Sequence, residues 1–586
     1  MKRIIGTVFA VFLALVLFFV MLPVLILPVL VTGQKKPEIP SLAVLELDLS
    51  GTFTDQPHGS SFDTGGASSA SIIRVVEALA RAEDDARVSG LFVTLDGEEA
   101  LPIAQAEEIR DALKSLRAKG KFVIVHARSF QPTSLGAYYA ATESDELWMQ
   151  PGGTFASSDV QVNASFAEAM PSIGEGPSTG GQYEDYKIGV STFTRPGLSG
   201  PDRDAYGSLV QGIHDRATAG IANSRGMSPD GLRALLQEGP RDAADALASG
   251  LISHLGSLDL AHSAALIRAG QGARGITWSD YLAGAGTLYD EGAVIAVVYA
   301  EGPIKSEQME EIATPTINAN ITANAIRDAA DDESVKAILF RVDSAGGSAV
   351  ASGQIWDALK YASDSGKPVV VSMGSVAASG GYYVAMAADR IIAQPTTVTG
   401  SIGVVDGKFV MGRSYGTLGL TLSETVAGGP GEQKNALSEN EATGGSGESW
   451  QSVNKVLGNF YTDFTLKVAE GRSMSLEAVH EVASGRAWSG AQAKDLGLID
   501  DLGGFRYAIG ETKTMIGLDA NAPVELRVWP GPASPWQRIM QMKGVSGSAA
   551  KVILMFSQLG QVETIKDLMG SVYNGATPDE GPVEAE

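Results

Sequence analysis

The sequence predicts an α/β fold made of two tandem repeats of parallel β-α-β units, preceded by one transmembrane helix. Three observations support this prediction: runs of Val, Ile and Leu alternate with helical segments, the same series of segments occurs twice, and the chain opens with a long uncharged stretch. Strands that are continuous aliphatic runs are typical of parallel sheets with both faces covered. At 586 residues, the chain also exceeds what one hydrophobic core usually organises.

The N-terminal stretch from Ile4 to Val31 holds no charged residue, and it is longer than the roughly 20 residues that cross a bilayer as a helix. Lys2 and Arg3 precede it, which favours an N-terminus in the cytoplasm and the remaining chain on the periplasmic or another extracytoplasmic side. Large aliphatic residues continue to the end of the stretch without a small-x-small cleavage site. We therefore expect residues 1–33 to form an uncleaved, single-pass anchor in contact with membrane lipid.

After the anchor, the same series of segments occurs twice in the same order. The segments of the first copy begin at Ser41, Leu91, Gly120, Ser134 and Gly250, and those of the second copy begin at Ala293, Ile338, Gly366, Ser379 and Gly497. A long, nearly constant offset between copies indicates a repeated structural unit. We therefore expect a first α/β repeat over residues 34–290 and a second over 291–522. Residues 523–586 are expected to form a helical segment and an acidic tail.

The overall charge and the lack of cysteine argue against several classes of function. The 68 acidic and 44 basic residues give a formal net charge of −24, whereas nucleic-acid phosphates need a basic surface, so we expect no nucleic-acid partner. Zero cysteines exclude disulfides, thiolate metal sites and a cysteine nucleophile. The six histidines are scattered and form no metal-binding motif, so we expect no metal site.

Two glycine-rich segments of the second copy follow directly on strands. Residues 343–348 follow the strand that ends at Val342, at the carboxyl edge of the sheet where α/β proteins place ligands. Gly346 and Gly347 allow backbone N–H groups to approach a substrate oxygen, as an oxyanion hole requires. The first copy has Gly-Glu-Glu-Ala at residues 97–100 in this place. We therefore expect only the second copy to keep a complete site.

The second glycine-rich segment, residues 372–382, brings a serine to a strand-to-helix turn. Its small residues leave the hydroxyl of Ser379 accessible where a nucleophile belongs. Ala377 replaces the first glycine of the Gly-x-Ser-x-Gly nucleophile elbow, so that common hydrolase motif is absent. In the first copy, Leu135 stands where Gly380 follows the serine. Duplication followed by loss of one site would leave this pattern.

Together these segments resemble the signal peptide peptidase A family in its long, tandem-repeat form. Residues 374–383 resemble the nucleophile motif of the family. The loop at Gly346 and Gly347 resembles its Ser-Pro-Gly-Gly oxyanion loop, with Ala345 in place of the proline. Residues 399–403, Thr-Gly-Ser-Ile-Gly, resemble a third shared block. The resemblance covers nearly the whole chain and implies a fold related to the Clp protease and crotonase group.

The resemblance also implies an activity, a location and an assembly. The implied reaction is serine-lysine peptidase chemistry through an acyl-enzyme, with signal peptides left in the membrane as substrates and no metal or organic cofactor. Ser379 is the implied nucleophile, and Gly346, Gly347 and Gly380 are the implied oxyanion and substrate-binding residues. The implied location is the inner membrane of a bacterium, and the implied assembly is a ring-like homo-oligomer.

The general base is less easily placed, because the sequence departs from the family pattern. In the long form the base lysine lies in the first repeat, and Thr192 occupies its place here, with Lys187 nearby. In the second repeat, residues 431–438 resemble the missing motif and place Lys434 after Ser379 at a spacing similar to that of short, single-repeat members. We expect Lys434 to be the base, with its pKa lowered by burial, and Lys187 is the alternative.

Three other readings of the sequence stay open. A protein of the same fold whose catalysis has decayed would act as an envelope scaffold or binding protein. A crotonase-like enzyme acting on acyl-CoA would use the same paired N–H groups as an oxyanion hole. A serine peptidase with a histidine base would need His254 or His480 to reach Ser379.

Overall fold

The computed structural model describes residues 36–56, 70–95, 101–156, 178–183, 198–306, 315–408 and 447–531. The apolar N-terminal stretch, both candidate base lysines, Lys187 and Lys434, and the acidic tail lie outside these ranges. Within them, no helix has the length and the apolar character that a membrane crossing needs.

Short and long strands alternate with helices along the described chain. The strands are β1 (Ala43–Asp48), β2 (Phe53–Thr54), β3 (Ala70–Ser71), β4 (Val88–Leu95), β5 (Phe122–Ala127), β6 (Glu146–Met149), β7 (Thr154–Phe155), β8 (Ser178–Tyr183), β9 (Arg241–Asp242), β10 (His254–Leu255), β11 (Arg274–Thr277), β12 (Ala293–Glu301), β13 (Ile304–Lys305), β14 (Ile317–Asn318), β15 (Val335–Ser344), β16 (Val369–Ala378), β17 (Arg390–Ala393), β18 (Val398–Gly400), β19 (Val404–Lys408), β20 (Ala487–Ser489), β21 (Asp501–Leu502) and β22 (Val524–Trp529). The helices are α1 (Ile72–Glu83), α2 (Ile103–Ala118), α3 (Leu135–Ala141), α4 (Gly200–Arg225), α5 (Pro229–Gln237), α6 (Ala243–Ala248), α7 (Leu258–Ala269), α8 (Trp278–Ala285), α9 (Ala319–Asp331), α10 (Ala349–Asp364), α11 (Gly380–Ala385), α12 (Gly447–Arg472), α13 (Leu476–Val482), α14 (Gly490–Asp495) and α15 (Phe505–Met515).

Two parallel sheets organise these elements. The first has the strand order β10-β6-β5-β4-β1-β11, and all of its neighbouring strands are parallel. The second has the order β20-β18-β16-β15-β12-β22, and β17 and β21 branch from β16. In the second sheet the pairing of β18 with β20 is antiparallel, and its other pairs are parallel. The prediction of an α/β fold with parallel sheets is confirmed.

The central strands are buried on both faces, as their continuous aliphatic sequences predict. All six residues of β5 are buried, and eight of the ten residues of β16 are buried. Helices cover both faces of such sheets, so most strand side chains pack against apolar neighbours instead of water. Strands β15 and β16 pair in parallel register from Ile338 opposite Val369 to Val342 opposite Met373. The carboxyl ends of β15 and β16 therefore have fixed positions.

A buried ionic cluster joins the N-terminal and C-terminal parts of the chain. Arg341, in the middle of β15, is only 1% exposed. Its Nε lies 2.8 Å from Oδ2 of Asp55, and its Nη1 lies 3.0 Å from Oε1 of Glu108 on α2. Glu108 also accepts hydrogen bonds from the backbone N–H of Phe505 at the start of α15. Three distant stretches of sequence are thus held together by one guanidinium.

A second connection between the two parts is a β-ribbon. Strand β8 pairs antiparallel with β19, and Tyr183 lies opposite Val404. β8 precedes α4 in the N-terminal part, whereas β19 follows β18 of the second sheet. The ribbon thus brings a segment of the first predicted repeat to the carboxyl edge of the second sheet.

Candidate functional site

Ser379 lies where β16 ends and α11 begins. Its backbone has φ of 54° and ψ of −118°, a conformation that L-residues rarely adopt. Two hydrogen bonds fix this turn: the Ser379 N–H donates to the carbonyl of Gly400 at 2.8 Å, and the Ser379 carbonyl accepts from the Tyr383 N–H at 2.8 Å. Strained backbone of this kind occurs most often at functional sites, where surrounding structure holds it in place. Here the strain turns Ser379 out of the strand.

The loop at Gly346 and Gly347 approaches Ser379 directly from the end of β15. A Cβ atom added to Gly346 would lie 2.7 Å from the Gly380 nitrogen and 2.9 Å from the Ser379 Cβ. A Cβ atom added to Gly347 would lie 2.1 Å from the carbonyl oxygen of Ile304. Both glycines also have positive φ, 104° and 154°, which disfavours any other residue. Glycine is therefore needed at both positions for the loop to reach the serine.

The N–H groups around Ser379 are not equivalent. The Gly346 N–H donates to the Ser344 hydroxyl at 3.1 Å, and that hydroxyl donates to the Gly302 carbonyl at 2.7 Å. No residue in the described ranges accepts a hydrogen bond from the N–H of Gly347 or Gly380. An added Cβ atom on Gly380 would lie 3.2 Å from the Gly347 nitrogen, so these two donors are neighbours. The N–H groups of Gly347 and Gly380 are therefore better placed than the N–H group of Gly346 to bind an oxyanion together.

The strand that carries Ser379 differs from the predicted loop. The sequence predicts strand only up to residue 371 and a small-residue turn from 372 onward, whereas β16 continues to Ala378. Its pairing with β15 shifts register between Val342 and Ser344. The strand continues because β18 pairs with its last residues. The sequence could not reveal this, because β18 lies about twenty residues further along the chain.

A cavity of about 560 Å³ opens beside Ser379. Its floor is formed by the two glycine loops and its far wall by α12, through Leu457, Phe460 and Phe464. Phe464 meets the ring of Tyr383 edge-on at 5.0 Å. The wall is apolar and the end beside Ser379 carries backbone donors, a combination typical of peptide-binding clefts. The apolar residues of α12 recur at helical spacing from Leu457 to Val468, a pattern in the sequence that is sufficient to predict this helix but not its place at the cavity.

Comparison with known proteins gives one consistent family. Residues 361–519 match the description "Peptidase family S49". Protease 4 of Salmonella typhi is 30% identical over 500 residues, which cover 81% of this chain and 78% of that protein. The chain belongs to peptidase family S49. The chloroplastic serine protease SPPA of Arabidopsis thaliana is 29% identical over 83% of this chain and 71% of its own length. Protease 4 of Haemophilus influenzae is 29% identical over 77% of this chain and 74% of its own length.

This S49 chain is therefore a serine endopeptidase of the signal peptide peptidase A type. The resemblance inferred from the two glycine-rich segments is confirmed at the level of the family. The matched residues 361–519 include Ser379 but begin after Gly347. The two histidines weighed as bases have other partners in the S49 chain: His254 stacks on Trp148 at 4.6 Å, and Nδ1 of His480 lies 3.3 Å from the Tyr461 hydroxyl.

One lysine that the structure describes near the S49 site, Lys467, is engaged in other contacts. Lys467 on α12 lies 5.4 Å from the ring centre of Tyr383, but its Nζ is 2.7 Å from a carboxylate oxygen of Asp463. The amine of Lys467 is thus paired with Asp463 and also lies over the ring of Trp356, at 4.3 Å. Lys187 and Lys434 both lie outside the described ranges.

Proposed function

We propose that the chain is a membrane-anchored endopeptidase that degrades cleaved signal peptides through a dyad of Ser379 and a lysine. The observation that carries the proposal is the approach of the Gly346–Gly347 loop to a strained serine beside an apolar cavity. Signal peptides have an apolar central region, which complements the wall formed by Leu457, Phe460 and Phe464. The family resemblance supports the same class of substrate.

The proposed reaction begins when the neutral lysine amine takes the proton of the Ser379 hydroxyl. The serine oxygen attacks the peptide carbonyl carbon, and the resulting oxyanion accepts hydrogen bonds from the N–H groups of Gly347 and Gly380. The C–N bond then breaks as the lysine returns its proton to the leaving amine, and an ester of Ser379 remains. Water, deprotonated by the same amine, hydrolyses this ester and regenerates the serine.

Lys434 is the proposed base, on the strength of its spacing after Ser379. One observation favours the alternative, Lys187: it lies four residues beyond Tyr183, which pairs with Val404 at the wall of the cavity. Four extended residues span at most about 14 Å, so a lysine at that position could reach the site. Either lysine needs apolar surroundings that lower its pKa.

We further infer that the chain arose by duplication, with a first repeat over residues 34–290 and the catalytic repeat over 291–522. Recurring contacts support this inference. The Tyr138 hydroxyl donates to the Leu251 carbonyl at 2.8 Å, as the Tyr382 hydroxyl does to the Leu498 carbonyl at 2.7 Å. The strand order β21-β17-β16-β15-β12-β22 also repeats the order of the first sheet.

The proposed location and assembly rest on the sequence. The uncharged stretch from Ile4 to Val31 would anchor the chain in the inner membrane of a bacterium, with the catalytic part outside the cytoplasm. Residues 523–586 are proposed to form an accessory helical segment and tail. A homo-oligomeric ring would enclose the sites and admit only extended peptides.

The proposal is tested by labelling the full-length protein in detergent with a fluorophosphonate probe. We expect wild type to be labelled and Ser379→Ala to lose labelling completely, because the probe reacts with an activated serine. Ser365→Ala, a change of an exposed serine at the end of α10, should label like wild type. Loss of labelling with Lys434→Ala but not Lys187→Ala would support Lys434, and the opposite result would assign the base to Lys187.

Failure of wild type to react would favour the alternative of a scaffold or binding protein with this fold. Digestion of a synthetic signal peptide by the wild-type protein, and its absence for Ser379→Ala, would distinguish a peptidase from a serine that merely reacts with the probe.

A further inference from the structure

The strand leading to Ser379 contains a bulge directly before the nucleophile turn. Val342 of β15 pairs with Met373 of β16, and the next pair is Ser344 with Ala377. One residue of β15, Asp343, therefore faces three residues of β16, 374–376. A bulge leaves backbone groups without ladder partners and changes the direction of the strand. Here that change of direction occurs just three residues before Ser379.

The carboxylate of Asp343 takes up the unpaired donors of this bulge. Its Oδ2 accepts the Ser375 N–H at 3.0 Å, and its Oδ1 accepts the Val376 N–H at 3.2 Å. The hydroxyl of Thr397 donates to the Gly374 carbonyl at 2.8 Å. The backbone of Asp343 also leads into the Gly346–Gly347 loop. One side chain thus connects the loop that faces the substrate oxygen to the strand that aims the nucleophile.

A second carboxylate, from the N-terminal part of the chain, lies against the same bulge. A Cβ atom added to Gly374 would lie 2.4 Å from Oδ2 of Asp55 and 2.7 Å from Oδ2 of Asp343. Asp55 is 2% exposed and pairs with Arg341, which in turn contacts Glu108. Asp55 and Arg341 are thus charged neighbours of Asp343, and a further carboxylate, Glu301 on β12, lies opposite Asp343 in the sheet and accepts the N–H groups of Asp55 and Gln56. Only glycine fits between the two carboxylates.

We propose that Asp343 is a positioning residue for the peptidase reaction, whose ionised carboxylate holds the β16 bulge and so directs Ser379 at the Gly346–Gly347 loop. The inference rests on the proposed role of Ser379 as nucleophile. A carboxylate accepts both bulge N–H groups, whereas a carboxylic acid must use one oxygen as a donor. Protonation of Asp343 therefore releases one N–H group and loosens the bulge.

The surroundings of Asp343 place this change close to neutral pH. Burial, followed by the neighbouring Asp55 carboxylate, raises the pKa of Asp343 to about 7, although Arg341 and the two N–H groups oppose the shift. Activity then rises with pH as Asp343 loses its proton. Deprotonation of the base lysine also raises activity with pH, so the pH profile of wild type contains contributions from both groups.

The test measures the rate of fluorophosphonate labelling, and kcat and KM on a signal peptide, across the pH range around neutrality. Asp343→Asn keeps the shape but can accept only one of the two N–H groups. We expect its kcat and labelling rate to fall about 10- to 100-fold with little change in KM. The part of the rise in activity with pH that comes from deprotonation of Asp343 should disappear. Asp389→Asn is the matched control: Asp389 accepts the Val369 N–H at the opposite end of β16.

Asp55→Asn removes the like charge beside Asp343, which makes Asp343 easier to deprotonate. The rise of the labelling rate with pH should therefore occur at lower pH in this variant, while its labelling rate at high pH should equal that of wild type. A wild-type rate and pH profile for Asp343→Asn would overturn the inference. If Asp343→Asn does not fold, an unshifted profile for Asp55→Asn would overturn it instead. By contrast, absence of labelling in wild type and Asp389→Asn at every pH would refute the proposed function itself.

Discussion

At the scale of single residues, the site depends on how closely backbone atoms approach one another. The Ser379 turn and the Gly346–Gly347 loop meet at distances that leave no room for a side chain. Catalysis by oxyanion stabilisation needs such proximity, because donors must already face the developing charge. The glycines can therefore be tested by adding a single methyl group.

Gly380→Ala should lower activity strongly while leaving the chain folded. The added Cβ atom would lie 2.6 Å from the Ser352 hydroxyl oxygen and 3.2 Å from the Gly346 Cα, so the loop and the turn must move apart. We expect at least about a 100-fold loss of kcat/KM, since displacement of reacting groups by about 1 Å is that costly. Gly353→Ala is the control, because its Cβ atom would meet only the Tyr383 hydroxyl, at 4.0 Å. Comparable losses in both variants would contradict this account.

The sequence predicts these residues better than it predicts their individual roles. Ser379, Gly346 and Gly347 stand out because small residues follow apolar strands. The hydrogen bond from the Gly346 N–H to the Ser344 hydroxyl depends on the loop conformation. The spacing of residues in the sequence does not specify that conformation. The role of Asp343 at the bulge likewise has no signature in the sequence, because a carboxylate after a strand is common in loops and the N–H groups that donate to it depend on strand register.

At the scale of elements, α12 supplies what the strand edge lacks, namely an apolar surface for the substrate. The helix runs from Gly447 to Arg472, and its buried face includes Leu457, Phe464 and Val468. Phe464 and Val468 pack in the core of the second sheet, whereas Phe460 lines the cavity. Substrate preference should therefore be adjustable at Phe460 without loss of the fold.

Phe460→Ala should change which peptides are cleaved. We expect kcat/KM to fall about tenfold for peptides with a large apolar side chain near the cleaved bond, and little for peptides with small ones. The comparison is made with matched peptide pairs that differ at one position. Val456→Ala is the control, because this residue of the same helix is 52% exposed. An equal loss for both peptides of a pair would assign Phe460 to stability instead of recognition.

Local sequence predicts some elements well and others poorly. Continuous aliphatic runs predict β1, β4, β5, β12 and β15 at nearly their observed places, and the beginning of β16, because burial on both faces demands such runs. The ribbon of β8 with β19 joins segments about 220 residues apart and has no such pattern. Its formation depends on how the two sheets face each other.

At the scale of the whole molecule, Arg341 joins three distant parts of the chain. It contacts Asp55 before α1, Glu108 on α2, and the Ser372 hydroxyl on β16 at 2.8 Å. Each partner is buried, so each has lost hydration that the guanidinium of Arg341 helps to replace. The sequence could not predict this cluster, since an arginine inside an aliphatic strand gives no indication of partners more than 200 residues away.

Arg341→Leu should destabilise the protein strongly and in a pH-dependent way. Removing the guanidinium leaves Asp55 and Glu108 as buried, uncompensated charges, and we expect a loss of about 3 to 5 kcal/mol in the free energy of unfolding near neutral pH. Burial already raises the pKa of Glu108, and without Arg341 the folded variant binds protons more readily than the unfolded chain. The stability of the variant therefore rises as pH falls, and its deficit in the free energy of unfolding relative to wild type becomes smaller.

Urea unfolding of wild type and Arg341→Leu at mildly acid and mildly alkaline pH measures this deficit. Arg527→Leu removes a surface arginine that pairs with Glu525 and is 42% exposed, so it should cost less than about 1 kcal/mol at either pH. If the deficit of Arg341→Leu stayed the same at both pH values, the buried carboxylates would not be responsible. Lost packing around the arginine would then be what destabilises the contact between the two sheets, since packing does not titrate.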